Sequence, residues 1–276
     1  MPESEQEIAP DGIDTSKPSV SRVYDYMLGG KDNYEVDRQV AAAALRIAPD
    51  APEAAQAGRE FLRRTVRHLA GEAGIRQFID VGSGLPTQGN VHEIAQSVTP
   101  GARVVYVDHD PIVLIHGRAL LAADQTTTIV EADAREAGKI LDDPKTRGLI
   151  DFAEPVGLLM FSILHHLADA DDPAAVVARL AGPLAPGSHV VISHFHNPGE
   201  AHPEVSKQAY AAEKLFNENL GTGRWRTREE LLPYFDGLEL LEPGLVPLPE
   251  WRPDPGDRAA PGITYHTFVG GVGRKP

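Results

Sequence analysis

The sequence predicts an α/β fold: a doubly wound, mostly parallel sheet of seven strands with an antiparallel C-terminal hairpin, carrying a helical cap at its N-terminal side. Three observations carry this expectation. From residue 75 onward, short apolar strands alternate with helical segments at a steady pitch, the signature of parallel crossover units. The run VGLLMFSIL (156–164) is apolar throughout, as a strand covered on both faces should be. Near the end, LELLEPGLVPL and ITYHTFVGGVG read as strands with only a Pro-rich stretch between them. No helix fits there, so the two turn back antiparallel at one edge.

Size and composition set the outer bounds. At 276 residues the chain is one large domain, or one domain with a small appendage. Its 42% hydrophobic and 24% charged residues are ordinary for a globular protein and exclude wholesale disorder. With 26 basic against 40 acidic residues the net charge is −14, which argues against a general nucleic-acid binder needing a basic stripe. The absence of cysteine removes disulfide scaffolds, thiolate zinc sites, iron–sulfur clusters and cysteine nucleophiles together. The start, MPESEQEIAPDGIDTSKPS, is acidic and Pro-containing where a secretory signal is basic and then apolar. The longest apolar run is about half the ~20 residues of a membrane helix. A cytoplasmic protein without a membrane partner is therefore expected, and homo-oligomerisation is left open.

Taken in order, residues 1–18 read as a flexible tail and 19–74 as a helical cap. Within the cap, VSRVYDYMLGGKDNYEVDR (20–38) fits neither a helical nor a strand period cleanly. The following block has helices interrupted near Pro49 and Pro52, the second with a stripe of Phe61, Leu62, Val66 and Leu69 and a stop at Gly71 or Gly74. The main domain, 75–276, opens with strand IRQFIDV and a helix capped by Asn90. Strand ARVVYVD and a helix with Pro111 in its first turn follow. Next come strand TTIVEAD, helix AREAGKILDD, strand VGLLMFSIL, helix DPAAVVARLAG and strand SHVVISHF. A helical insertion at about 200–235 contains EVSKQAYAAEKLFNENL, the turn GTGRWRT and helix REELLPYF.

The chemistry concentrates at strand ends. In FIDVGSGLPTQGN (78–90), Asp80 ends the first strand, and Gly82 and Gly84 let a ligand approach the backbone with no Cβ in the way. No Lys-Ser or Lys-Thr follows, so this is not a P-loop; Thr87 stands at the third glycine position of a dinucleotide fingerprint. Asp108 lies at the tip of strand two, where an acid can take both ribose hydroxyls but would repel a 2′-phosphate. Asp133 lies at the tip of strand three, placed to accept from an adenine amino group. Any one such acid is more often a helix cap; three in succession after a Gly-rich turn point to an adenosine-bearing ligand.

This combination resembles the class I S-adenosylmethionine-dependent methyltransferases over residues 75–270. More specifically, the chain resembles an actinobacterial S-adenosyl methyltransferase family, formerly a domain of unknown function. That closer resemblance lies in SRVYDYMLGGKDNYEVDR (21–38), DVGSGLPTQGNVHE (80–93), PVGLLMFSILHHLAD (155–169), LAPGSHVVISHF (184–195) and ELLEPGLVPLPEW (239–251). It implies a Rossmann-like fold and an S-adenosyl-L-methionine cofactor, but no particular substrate. Carried over, Asp80, Gly82 and Gly84 would hold the methionine end, with Leu85 in place of a third loop glycine. Asp108 would bind the ribose and His109 lie against the adenine, with Asp133 and Ala134 at its edge. Phe161 and Ser162 would line the pocket below the sulfonium. The segment 21–38 would cap the cofactor through Tyr24, Tyr26 and Asn33, or else be a helix packed by its tyrosines.

Methyl transfer needs alignment of the nucleophile and, for a hydroxyl acceptor, a place for the proton. Four histidines fall near the carboxyl edges of strands: His165, His166, His194 and His196. His166 is the foremost candidate base, with His165 expected to point the other way or enter the helix; any one of the four is more often simply hydrogen-bonded in the pocket's shell, and neither pair has the carboxylate partner a metal site would ask for. Arg224, Arg226 and Arg228 read as surface arginines, and the helix 203–219 as a substrate lid. The expected activity is methylation of a small-molecule acceptor at O or N in secondary metabolism. The alternative is a non-catalytic protein that binds S-adenosylmethionine or S-adenosylhomocysteine. An NAD oxidoreductase is disfavoured by Thr87 and the terminal hairpin, and nucleic-acid methylation by the charge and by FSILHH where an Asn-Pro-Pro-Tyr-like motif would stand.

Overall fold

A computed structural model describes residues 10, 13–86, 89–121, 125–255 and 262–276, so Thr87 and most of the expected tail lie outside the described residues. The cap consists of α1 (Val20–Met27), α2 (Glu35–Ile47) and α3 (Ala51–Gly71). The segment of uncertain period is thus one short helix, a turn and the start of a second. Its anchor is Asp37, whose carboxylate accepts from Ser19 N and Tyr34 N and pairs at 2.8 Å with Arg22 in a fully buried ion pair. Arg22 also holds the carbonyls of Asp14 and Lys17, so residues 14–17 are tied to α1.

The alternation follows as β1 (Gln77–Val81), α4 (Val91–Val98), β2 (Arg103–Asp108), α5 (Pro111–Leu120) and β3 (Thr127–Glu131). Then come α6 (Ala137–Leu141), α7 (Pro144–Leu149), β4 (Gly157–Phe161), α8 (Pro173–Ala181) and β5 (His189–Phe195). The chain closes with α9 (Pro203–Leu220), α10 (Arg228–Leu231), β6 (Glu239–Leu240), β7 (Val246–Pro247) and β8 (Phe268–Arg274). Capping is as the residue types dictate: Asn90 N donates to Glu93 at 2.7 Å, and Asp110 accepts from Ile112 N.

The sheet order is β3-β2-β1-β4-β5-β8-β6, parallel from β3 to β5, with β8 antiparallel between β5 and β6 and β7 also paired to β8. The described strands number eight where seven were expected. The single strand expected over 238–248 is two short pieces, because Pro243 has no N–H to donate and the chain turns there before rejoining β8. Likewise 263–267 is a single 3₁₀ stretch and the strand begins at Phe268.

Apolar side chains from alternate strand positions fill both faces of the sheet. Val81, Val107 and Met160 face one cluster; Phe78, Tyr106 and Leu159 face the other. In the second, α3 drives Phe61 edge-on against Phe161 (5.9 Å) and Trp251 (5.7 Å). That contact fixes the cap to the sheet. The chain runs outward from β1 to β2 on one side and continues from β4 to β5 on the other, so a crevice opens at the carboxyl ends where the order reverses.

Candidate active site

A cavity of about 910 Å³ fills that crevice. Strand ends form its floor, α1 and α3 one wall, and α9 with the 221–225 turn the roof. The volume is near the upper end of small-molecule sites, ~300–1,000 Å³.

The loop after β1 is held by the neighbouring strand: Gly82 N and Ser83 N both donate to Val107 O, at 2.8 and 3.2 Å. Gly82 has φ +72°, and a Cβ there would meet the Ile163 side chain at 2.6 Å. Gly84, at φ +67°, faces open space instead, which leaves its backbone accessible to a ligand. Asp108 ties the loop to β2: Oδ2 accepts from Gly84 N (2.8 Å), and Oδ1 from His109 N (2.8 Å) and Asp110 N (2.9 Å). Burial nevertheless outweighs these bonds and pushes its carboxyl up from the ordinary range.

Asp80 is 4% exposed, and no donor among the described residues hydrogen-bonds to it. Desolvation raises its carboxyl to about 7, against the pull of Arg59 and with a push from Asp108. Asp133 behaves oppositely: Arg135 clasps it through Nε (2.9 Å) and Nη2 (2.7 Å) and holds it at about 2. It borders the cavity, but its carboxylate is not the free adenine acceptor that the sequence suggested. His109, Ala134, Phe161 and Ser162 also line the cavity. Ser162 sits at φ 57°, a left-handed conformation uncommon outside glycine, fixed by its N–H donating to Ser193 O and Oγ.

Of the cap residues, Tyr24 lines the cavity and donates to Ala55 O at 3.3 Å. Tyr26 and Asn33 are not among the lining residues. Tyr26 packs beside Val23 and Val40, and the Asn33 amide donates to Asp25 Oδ2 and Gly30 O inside the α1–α2 turn. The leucine at the third loop position, Leu85, packs into the apolar cluster of the α4 face instead of lining the cavity.

Among the histidines, both His165 and His166 border the cavity; His165 does not point the other way but sits in the 3₁₀ stretch Leu164–His166. His165 lies flat on Phe195 (3.6 Å, 12°) and its Nδ1 accepts from Phe195 N at 3.2 Å. Burial holds His166 neutral, its pKa down at about 4; its Nδ1 is buried without a partner. His194 and His196 lie outside the lining. An arginine can only donate, so His194 Nε2 accepts from Arg226 (3.1 Å) and Nδ1 donates to Phe195 O (2.6 Å).

The arginines of the 221–227 turn are not a loose surface patch. Arg226 is 3% exposed and donates to Leu164 O, Leu167 O and Asp169 as well as to His194. Arg224 pairs with Glu213 and Asp169. Together they pin the roof to the β4 end and bring Trp225 face to face with Phe195, 4.1 Å apart. Sequence reasoning missed Arg59, Phe195, Phe216 and Gln208 of the lining. Phe195 stood in the quoted SHVVISHF string, and Gln208 and Phe216 on the helix read as a lid; for Arg59 no local signal existed.

Comparison with known proteins agrees with this architecture. The S-adenosyl methyltransferase family model matches residues 6–276. A candidate methyltransferase from Thermobifida fusca is 45% identical, with a TM-score of 0.90 over 99% of both chains. A DUF574 family protein from Streptomyces avermitilis is 40% identical, with a TM-score of 0.89 over 95% of this chain and 99% of that one. An O-methyltransferase family protein from Burkholderia thailandensis shares the fold alone, at 14% identity and a TM-score of 0.52 over 88% of this chain and 60% of that one. No curated protein matches. With nearly the whole chain matched by the family model, and two-fifths or more of its residues shared with two solved relatives, the protein belongs to the S-adenosyl methyltransferase family.

Proposed function

We propose that the protein is an S-adenosyl-L-methionine-dependent methyltransferase acting on a small-molecule acceptor, with O- or N-methylation in secondary metabolism as its role. Asp80 is the observation that carries the cofactor assignment. A buried carboxyl with no hydrogen-bond donor among the described residues, bordering a cavity, asks for a cationic ligand group. The amino group of the methionine moiety fits it. Asp108 beside Gly84 suits the ribose, and His109 with Ala134 the adenine.

S-adenosylmethionine, when bound, supplies a methyl group already activated on a sulfonium. The chain has to orient and exclude water. Its apolar walls and the α9 roof, tied to α2 by Gln208 Nε2 donating to Ile47 O at 2.7 Å, serve the exclusion. Ser162 and the 165–166 pair face the same space as Asp80, which suits a reaction centre between them. A deep, largely apolar crevice in a protein of net charge −14 favours a small molecule over nucleic acid or a membrane surface.

The experiment is calorimetric titration with S-adenosylmethionine, S-adenosylhomocysteine and NAD in parallel. Micromolar binding of the first two and none of NAD is expected; NAD binding, or no binding of the others, overturns the reading. Among the described residues no carboxylate orients His165 or His166, which favours one second reading, a non-catalytic S-adenosylmethionine or S-adenosylhomocysteine binder. Such a protein would bind both ligands and methylate nothing.

A further inference from the structure

Two imidazoles bordering the cavity stand side by side, ring centres 4.4 Å apart, and among the described residues neither has the carboxylate partner that would make it a general base. Their proton positions can be worked out. Phe195 N–H donates to His165 Nδ1, so in the neutral ring the proton is on Nε2. Nothing can rotate it away: the ring is pressed flat on Phe195 and meets His194 edge-on at 5.4 Å, and His194 is itself locked by Arg226 and Phe195 O. No acceptor among the described residues takes His165 Nε2–H, and the residue borders the cavity.

His166 reaches the same state by a different route. Its Nδ1 is sealed in protein with no partner. A proton there would be an orphaned buried donor, a rarer and costlier defect than an under-satisfied acceptor. The proton therefore resides on Nε2, which again has no protein partner. Both rings thus offer N–H donors, and a protonated amine, which has only donors, would find no acceptor on either ring.

The surroundings complete the selection. Met27, Leu62, Phe216, Trp225 and Phe268 give apolar and aromatic walls. The arginines on that side are engaged, Arg135 with Asp133 and Asp171 and Arg224 with Glu213 and Asp169, so they do not offer a clamp for a substrate carboxylate.

We propose that His165 and His166 form a two-donor cradle for the acceptor oxygen, and that the substrate class is a phenol-type aromatic hydroxyl reacting as its oxyanion. This rests on the methyltransferase reading above. Hydrogen bonds to the charged form stabilise the oxyanion, so the hydroxyl gives up its proton to bulk solvent as the acceptor binds and no strong base is needed in the closed site. The oxygen lone pair then forms the O–CH₃ bond as the C–S bond breaks, and that electron pair stays on sulfur. In this reading His166 is a donor and not the base.

The test uses the whole protein saturated with S-adenosylhomocysteine and the chromogenic probe 4-nitrophenol, whose ionisation is read by absorbance. The bound probe should ionise at least one pH unit below its free value, a tenfold preference for the phenolate. His165→Phe and His166→Phe should each abolish most of that shift. On the unaltered protein, nitrogen-15 NMR should show both rings as neutral Nε2–H tautomers at neutral pH, which keeps the inference testable if a variant does not fold. An unshifted or raised probe pKa, tighter binding of 4-nitroaniline, binding of neither probe, or a proton on Nδ1 of either ring overturns the cradle. If S-adenosylhomocysteine itself fails to bind, the methyltransferase reading falls and the cradle with it.

Discussion

Asp108 is where ligand affinity and loop structure can be separated most cleanly. A carboxylate has about four acceptor sites, and three are occupied by the N–H groups of Gly84, His109 and Asp110. One site on Oδ2 remains for a ribose hydroxyl, not the two that a bidentate clasp of the diol would need. A single charge-assisted hydrogen bond contributes about 1.5–3 kcal/mol. Asp108→Asn retains an oxygen for His109 N and Asp110 N but turns an NH₂ toward Gly84 N and removes the charge. The expected result is about 10- to 150-fold weaker binding of S-adenosylhomocysteine by calorimetry. Circular dichroism and thermal unfolding should show a folded protein whose Tm is only slightly lowered. Asp108→Ala strips the acceptor from all three N–H groups and should also destabilise the loop by about 1–3 kcal/mol. Unchanged affinity in the folded Asn variant would show that the ribose is held elsewhere.

Four further outcomes are expected. Burial raises the Asp80 carboxyl to about 7, so the folded state binds a proton that the unfolded state releases near pH 4; stability should therefore fall as pH rises from about 4 to 7. Asp80→Asn should flatten that slope in urea titrations, by up to about 4 kcal/mol across the window, while weakening S-adenosylmethionine binding. Gly82→Ala combines a φ of +72° with a 2.6 Å clash on Ile163, and should cost at least about 1–3 kcal/mol in denaturant titrations, partly restored by a second change, Ile163→Ala. Arg226→Met leaves the carbonyls of Leu164 and Leu167 and the Nε2 of His194 without their buried donor, and a loss of about 2–4 kcal/mol should appear as a lower Tm. Deleting residues 1–38 removes α1 and the buried Arg22–Asp37 pair but leaves the sheet contacts of α3, so a folded core with poor affinity for S-adenosylhomocysteine is expected; an unfolded product would mean that the cap is part of the core.

The sequence alone determined the parallel sheet from β1 to β5 and the positions of Asp80, Asp108 and Asp133 at or just beyond its strand ends, because strand periodicity and glycine turns are local; the bounds of the C-terminal strands and the division of 134–149 into two helices were not legible there. The resemblance to the methyltransferase family was equally legible in contiguous strings. What the tertiary structure decided depends on partners far apart in the chain. Asp133 borders the cavity, yet its charge is taken up by Arg135, which also pairs with Asp171. Asn33 is an amide in a polar string, but the α1–α2 turn folds it back onto Asp25. Leu85 follows the glycine loop in sequence and belongs to the core in space, since one residue of backbone rotation separates the two faces. Arg226 reads as a surface charge until β5, the 164–167 turn and Asp169 close around it. The histidines show the limit most plainly. Two adjacent letters say nothing about protons, and the tautomer of His165 was set by a backbone N–H thirty residues away, brought to it only when β4 and β5 paired.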